Sequence, residues 1–188
     1  MKNNTKQSLQ KTVIMAMLVA IAVVSLYIIR TPLLPAAQFL EYDIADVPVL
    51  IGTLLFGPVA GLVILVITSA IQAMTVSASS GIIGFIMHVC ASGMLVLASG
   101  LIYKIIKSRK GMILGLAVGS ILMILVMIPL NIVFSGIFMG VGVKTVVSML
   151  IPVFIPFNLI KAVLNSVLTF VLFIPVNAIY SKISKDFK

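Results

Sequence analysis

The chain has 188 residues, 62% of them hydrophobic and only 9% charged, with thirteen Lys/Arg against four Asp/Glu and a formal net charge of +9. A mean hydropathy of +1.31 lies far above the roughly half-apolar usage of soluble domains, which excludes that class and marks an integral membrane protein. In such a chain a basic excess reports orientation in the bilayer, and no basic stripe interleaved with aromatics points to nucleic acid. The one cysteine, Cys90, excludes an internal disulfide and reads as a small buried hydrophobe within its apolar run.

Lys2, Lys6 and Lys11 open the chain in a polar setting, and residues 12–29 form an apolar run ending at Arg30. At about 1.5 Å per residue that run crosses a ~30 Å hydrocarbon core. A signal peptide shares the basic start and apolar segment, but the run is long and no clear small-x-small cleavage site follows. Within it, Ala16-Met-Leu-Val-Ala20 is a small-xxx-small pattern that suits close helix approach or ordinary internal packing.

The stretch from Phe39 to Pro48 holds three of the four acids, Glu41, Asp43 and Asp46. Pro32, Pro35 and Pro48 prevent one helix from running through it, so it reads as an acidic loop. Asp46, followed by Val47 and Pro48, reads as an N-cap carboxylate with proline in the first turn, which places the acids on the lip of the next helix.

Residues 47–75 are apolar apart from an interruption at Gly57-Pro58, which predicts two helices, 47–57 and 58–75, the first short or tilted. Residues 76–81 are small and polar, a turn by composition. A fourth helix over 82–103 stops at Lys104, Lys107, Arg109 and Lys110, and a fifth covers 112–134. The fifth carries Gly115-Leu-Ala-Val-Gly119 as a second close-packing face and Pro129 as a kink. Residues 135–149 read as a glycine-rich loop with Lys144, and 156–180 as the sixth helix, before a tail with Lys182, Lys185 and Lys188. The prediction is an all-α integral membrane protein, a single transmembrane domain over 1–188 with six transmembrane helices. With the N and C termini cytoplasmic, ten Lys/Arg fall inside and only Arg30 and Lys144 outside, as the positive-inside rule requires.

Lys161, the remaining cation, lies within the sixth helix. Asn158, Lys161 and Asn165 share one helical face at spacings of three and four. Polar groups at membrane depth are expensive and tend to face a bundle interior or cavity, so this is a candidate binding face. The other reading is that Lys161 snorkels to the nearby surface. Asn131, after Pro129, is either a buried binding amide or a helix-to-helix hydrogen bond. His88, the only histidine, has no second histidine for a metal pair and reads as an interior hydrogen bond or a solute contact. The eleven methionines read as core packing. No GxxxxGK[ST] loop is present for ATP hydrolysis, and no nucleophile, base and orienting group can be assembled, so no enzymatic activity is expected.

The acidic loop Phe39-Leu-Glu-Tyr-Asp-Ile-Ala-Asp-Val-Pro-Val-Leu-Ile-Gly52 with Leu55-Phe-Gly-Pro-Val-Ala-Gly61, Ala98-Ser-Gly-Leu-Ile-Tyr-Lys104 and Ile155-Pro-Phe-Asn-Leu-Ile-Lys161 resembles the substrate-binding S components of energy-coupling factor (ECF) transporters, above all the riboflavin-specific ones. The resemblance covers essentially the whole chain. It implies a vitamin-binding membrane subunit, without resident cofactor or metal, that delivers its solute through a transmembrane coupling protein and two ATPase subunits in the bacterial cell membrane. By the same resemblance, Ala16 and Ala20 would contact the coupling protein. Asn131, Asn158 and Lys161 would bind the vitamin, with Leu40 and Tyr42 of the loop closing over it and Asn165 and His88 as further candidates. Leu65, Thr68, Ser69 and His88 depart from the riboflavin-specific pattern, which keeps a different vitamin or flavin-like solute as an alternative. A self-contained secondary transporter is a further alternative, although no repeated half with paired broken helices is visible.

Overall fold

The computed structural model describes residues 2–35 and 37–186, the side chains of 2–4, 185 and 186 excepted. The side chains of Lys2 and Lys185 and all of Lys188, three of the cations assigned to the inner side, lie outside the described residues. The order of elements is α1 (Lys2–Ile28), β1 (Arg30–Pro32), β2 (Glu41–Asp43), α2 (Asp46–Phe56), α3 (Pro58–Met74), α4 (Gly81–Ile105), α5 (Arg109–Leu130), a π-helical turn Asn131–Ser135, α6 (Gly136–Met139), α7 (Val143–Met149), a second π-helical turn Leu150–Phe154, and α8 (Ile155–Asp186).

Among the described residues, four continuous helical stretches are long and apolar enough to cross a membrane: Thr5–Ile28, Gly81–Ile105, Arg109–Met139 and Val143–Ser184. The first is part of a helix that starts before residue 12, because residues 2–11 contain neither glycine nor proline to stop it. α2 is only 11 residues long, and nine of them, Asp46 to Leu54, are buried. A helix apolar on all sides belongs inside a bundle, and α2 packs against α1, α3, α4 and α8. It ends at Gly57, whose φ of 92° suits glycine and whose amide bonds the Thr53 carbonyl, and Pro58 starts α3.

α4 and α5 form the closest helix pair. A Cβ on Gly115 would fall 2.9 Å from the Ser99 carbonyl oxygen, and one on Gly119 2.8 Å from that of Leu95. The small-residue face predicted there is therefore a site of backbone contact. The glycine-rich loop expected over 135–149 is mostly helix. Only residues 140–142 are non-helical, turning at Gly140 with φ 66°, and α7 runs through a π-helical turn into α8. Composition misleads here because Gly136 and Gly142 are absorbed at helix ends, where the entropic cost of glycine is small.

The fold is all-helical as expected, with one short antiparallel ribbon in which β1 and β2 pair with Thr31 opposite Tyr42. Two further expectations are corrected. Cys90 is exposed, not buried, because its position on α4 faces away from the packed side that carries Ala91, Leu95 and Ser99. Asp46 is not an N-cap. Ala45 holds that position without a side-chain cap, and the Asp46 carboxylate turns inward to stronger donors.

Candidate solute-binding site

At the end of the bundle opposite the termini, a cavity of about 370 Å³ opens between the acidic loop, the C-terminal half of α3, the N-terminal half of α4, the end of α5 and the start of α8. Its volume lies in the range of small-molecule sites, roughly 300–1,000 Å³. Apolar lining comes from Phe39, Leu40, Phe85, Met123, Met127, Phe138 and Phe157, among others. Phe39 also packs edge-on against Phe154, with ring centroids 6.3 Å apart, which ties the loop to the second π-helical turn. Arg30 joins the ribbon to the α3–α4 turn by pairing with Glu41 and donating to the Val76 carbonyl and, at 3.2 Å, to Ser77 Oγ.

Lys161 Nζ donates to Asp43 Oδ2 at 3.1 Å, and both residues are buried. Lys161 turns inward to this partner and does not snorkel to the surface. The other Asp43 oxygen accepts from the Ala45 amide at 3.1 Å. Asp46, 1% exposed, receives His88 Nε2 on Oδ1 at 3.1 Å, and Ser92 Oγ and Asn165 Nδ2 on Oδ2 at 3.1 and 3.2 Å. Asn165 in turn accepts from the Tyr42 hydroxyl at 3.0 Å. Burial pushes the Tyr42 phenol above its usual range, which keeps it a donor. Of the three acids expected on an outer lip, Asp43 and Asp46 are thus buried and matched to donors from distant helices, as low-dielectric burial of a charge requires, while Glu41 stays at the surface with Arg30.

Asn131, Asn158, Lys161, Leu40 and His88 all line the cavity. Asn131 Nδ2 bonds the Met127 carbonyl at 2.7 Å while its Oδ1 accepts from Ser135 Oγ at 2.8 Å. Asn158 Nδ2 bonds the Phe154 carbonyl at 2.7 Å. Both amides are held by the helix turn before them, and the π-helical turns that follow Pro129 and precede Ile155 bring them to one cavity. Tyr42 and Asn165 are not among the lining residues and form a buried layer behind them. Ala16 and Ala20 lie far from the cavity along the chain, exposed on α1 beside Val13, Met17 and Ile21.

Residues 10–173 match the family model "ECF transporter, substrate-specific component". This chain belongs to that family. Its fold superposes on the solved S component of a bacterial ECF transporter with a TM-score of 0.77 and 30% sequence identity, covering 93% of this chain and 99% of that one. It is 29% identical over 115 residues to the riboflavin transporter FmnP of Bacillus subtilis (strain 168), covering 61% of this chain and 60% of the relative. It is 31% identical, again over 115 residues, to the riboflavin transporter RibU of Streptococcus thermophilus, covering 61% and 54%. The match therefore spans less than two thirds of either curated relative's length. As an S component the chain is a multi-pass membrane protein of a transport system.

Two lining residues of this S component, Gln72 and Ser92, had no prominence in the sequence. Ser69 and Gln72 stand three apart on α3, and His88 and Ser92 four apart on α4, so each pair shares a helix face. That spacing was the available signal, but small polar residues are too common for it to stand out. The fold also assembles a serine–histidine–aspartate row from three separate helices: Ser69 Oγ lies 3.1 Å from His88 Nδ1, and His88 Nε2 3.1 Å from Asp46. Ser69 lies inside α3, where the neighbouring backbone amides serve the helix. In this S component the row links α3, α4 and the start of α2 by hydrogen bonds.

Proposed function

We propose that this S component binds riboflavin in the cavity and passes it to an ECF transmembrane coupling protein driven by two ATPase subunits. The observation that carries the reading is the convergence of Asn131, Asn158 and Lys161 on one apolar, aromatic-lined cavity. A planar heteroaromatic ring with carbonyls fits such a lining. Lys161 has N–H groups beyond the one given to Asp43 and cannot accept. Asn158 keeps an oxygen with no hydrogen-bond partner among the described residues. Leu40 and Phe39 close the cavity from the loop, while Tyr42, Asn165 and His88 hold the polar wall in place. The riboflavin transporters among the relatives support this solute.

In this reading the chain crosses the bacterial cell membrane six times with both termini cytoplasmic, α2 and α3 each forming a short crossing. Riboflavin is substrate, the chain has no resident cofactor, and ATP is hydrolysed by the partner subunits. Ala16 and Ala20, exposed on α1, suit a face for the coupling protein, since small residues let a partner helix approach closely.

The test is an absorption spectrum from 300 to 550 nm of the detergent-purified protein, with mass spectrometry of whatever heating releases. A flavin in near-stoichiometric amount is the expected result. Release of another vitamin would replace riboflavin as the solute, and uptake in liposomes without any ATPase would replace the mechanism.

A further inference from the structure

On the α3–α4 side of the cavity Ser69 and Ser92 turn their hydroxyl hydrogens away from the space a solute would fill. The Asp46 carboxylate only accepts, and it takes the His88 Nε2–H and the Ser92 Oγ–H, each at 3.1 Å. The Asp46 carboxylate selects the His88 tautomer with its hydrogen on Nε2, and in that tautomer Nδ1 accepts from Ser69 Oγ at 3.1 Å. Ser69 and Ser92 both line the cavity, and each has only lone pairs left to offer there. Gln72, one turn beyond Ser69 on α3, also lines the cavity, and its Oε1 is buried without a partner among the described residues. Lys161 on α8, by contrast, presents only N–H groups, beside the acceptor oxygen of Asn158. The α3–α4 wall therefore offers acceptors, and an apolar group against them would leave them unpaired at a cost.

We propose that Ser69, Gln72 and Ser92 form a subsite for the hydroxyl groups of the solute's polyol chain, with Asp46 and His88 as the positioning residues that turn the serine hydrogens inward. The inference rests on the riboflavin reading and adds an orientation to it. The carbonyl edge of the ring lies toward Lys161 and the asparagines, and the ribityl chain lies along α3 and α4.

The experiment compares the Kd values of the detergent-purified full chain at pH 8 for riboflavin and for lumiflavin, which keeps the ring and carries a methyl group in place of the ribityl chain. The wild type is expected to prefer riboflavin. Ser69→Ala is expected to weaken riboflavin about 3- to 10-fold, the loss of one hydrogen bond, and to leave lumiflavin unchanged. Gln72→Leu is expected to act in the same way, and keeps the question open to test if Ser69→Ala does not fold. Asp46→Asn, which puts a donor amide in place of one acceptor oxygen, is expected to shrink the riboflavin-to-lumiflavin ratio, whereas a purely structural residue would lower both affinities together. If Ser69→Ala and Gln72→Leu leave that ratio at its wild-type value, the subsite is wrong and the riboflavin reading stands. If the wild type binds neither flavin, both are wrong.

Discussion

Asp46 at the start of α2 and His88 in α4, 42 residues apart, meet at 3.1 Å between Oδ1 and Nε2. The contact ties the short, buried helix α2 to the wall of the cavity, so the helix core and the solute site share one polar network. Its other end runs through Asn165 to Tyr42, and a parallel pair joins Asp43 to Lys161. Loop, α2, α4 and α8 are thereby positioned together.

The Lys161–Asp43 pair is expected to behave as a buried ion pair. Lys161→Met leaves the Asp43 carboxylate uncompensated and is expected to cost about 3–5 kcal/mol. The double variant Asp43→Leu/Lys161→Met is expected to recover most of that loss. Thermal unfolding of the four proteins in detergent measures the cycle, and additive single losses would show that the two groups do not interact.

Asn158 and Lys161 are expected to govern affinity as well. Asn158→Leu or Lys161→Met each removes a hydrogen-bonding group from a buried site, worth ~1–3 kcal/mol, and is expected to lower riboflavin affinity about 10-fold or more. Fluorescence titration reads the change, and unaltered binding in both variants would remove the pair from the site.

Backbone contact between α4 and α5 makes Gly119 intolerant of a side chain. Gly119→Ala puts a Cβ 2.8 Å from the Leu95 carbonyl oxygen and is expected to destabilise by about 1–3 kcal/mol through forced separation of the helices. Gly142→Ala meets nothing within 4 Å and is expected to be neutral. Comparable melting temperatures for the two variants would argue against the close approach.

Ala16 and Ala20 are far from the cavity, so their enlargement separates binding from transport. Ala16→Leu/Ala20→Leu is expected to keep the wild-type riboflavin Kd in the isolated protein and to abolish uptake by cells that supply the coupling protein and ATPases. Normal uptake would mean that this face of α1 is not the coupling surface.

Cys90 is exposed on α4. In detergent it is expected to react fully with a small maleimide without unfolding, and Cys90→Ser is expected to alter stability by less than about 0.5 kcal/mol. A thiol that reacts only after denaturation would contradict its placement.

Much of the fold was legible because the signals are local. Hydropathy marked every long helix, and Gly57-Pro58 marked the break between α2 and α3, since a positive φ and a missing amide are properties of those residues themselves. The three-and-four spacing of Asn158, Lys161 and Asn165 put them on one face of α8 without any structure. The Gly115–Gly119 face was equally readable, as a place where helices can approach.

By itself, then, the sequence determined a membrane protein of apolar helices with a polar face near one end, because burial of apolar surface and helix periodicity are written residue by residue. Only the tertiary structure decided what its charges do. Asp43 and Lys161 are 118 residues apart, and Asn165 and Asp46 are 119 apart. Whether an acid stays at a lip or goes inside depends on a donor brought from another helix to repay its desolvation. The same holds for Ser69 and Gln72, ordinary polar residues of α3 until the fold sets them beside His88 at one cavity.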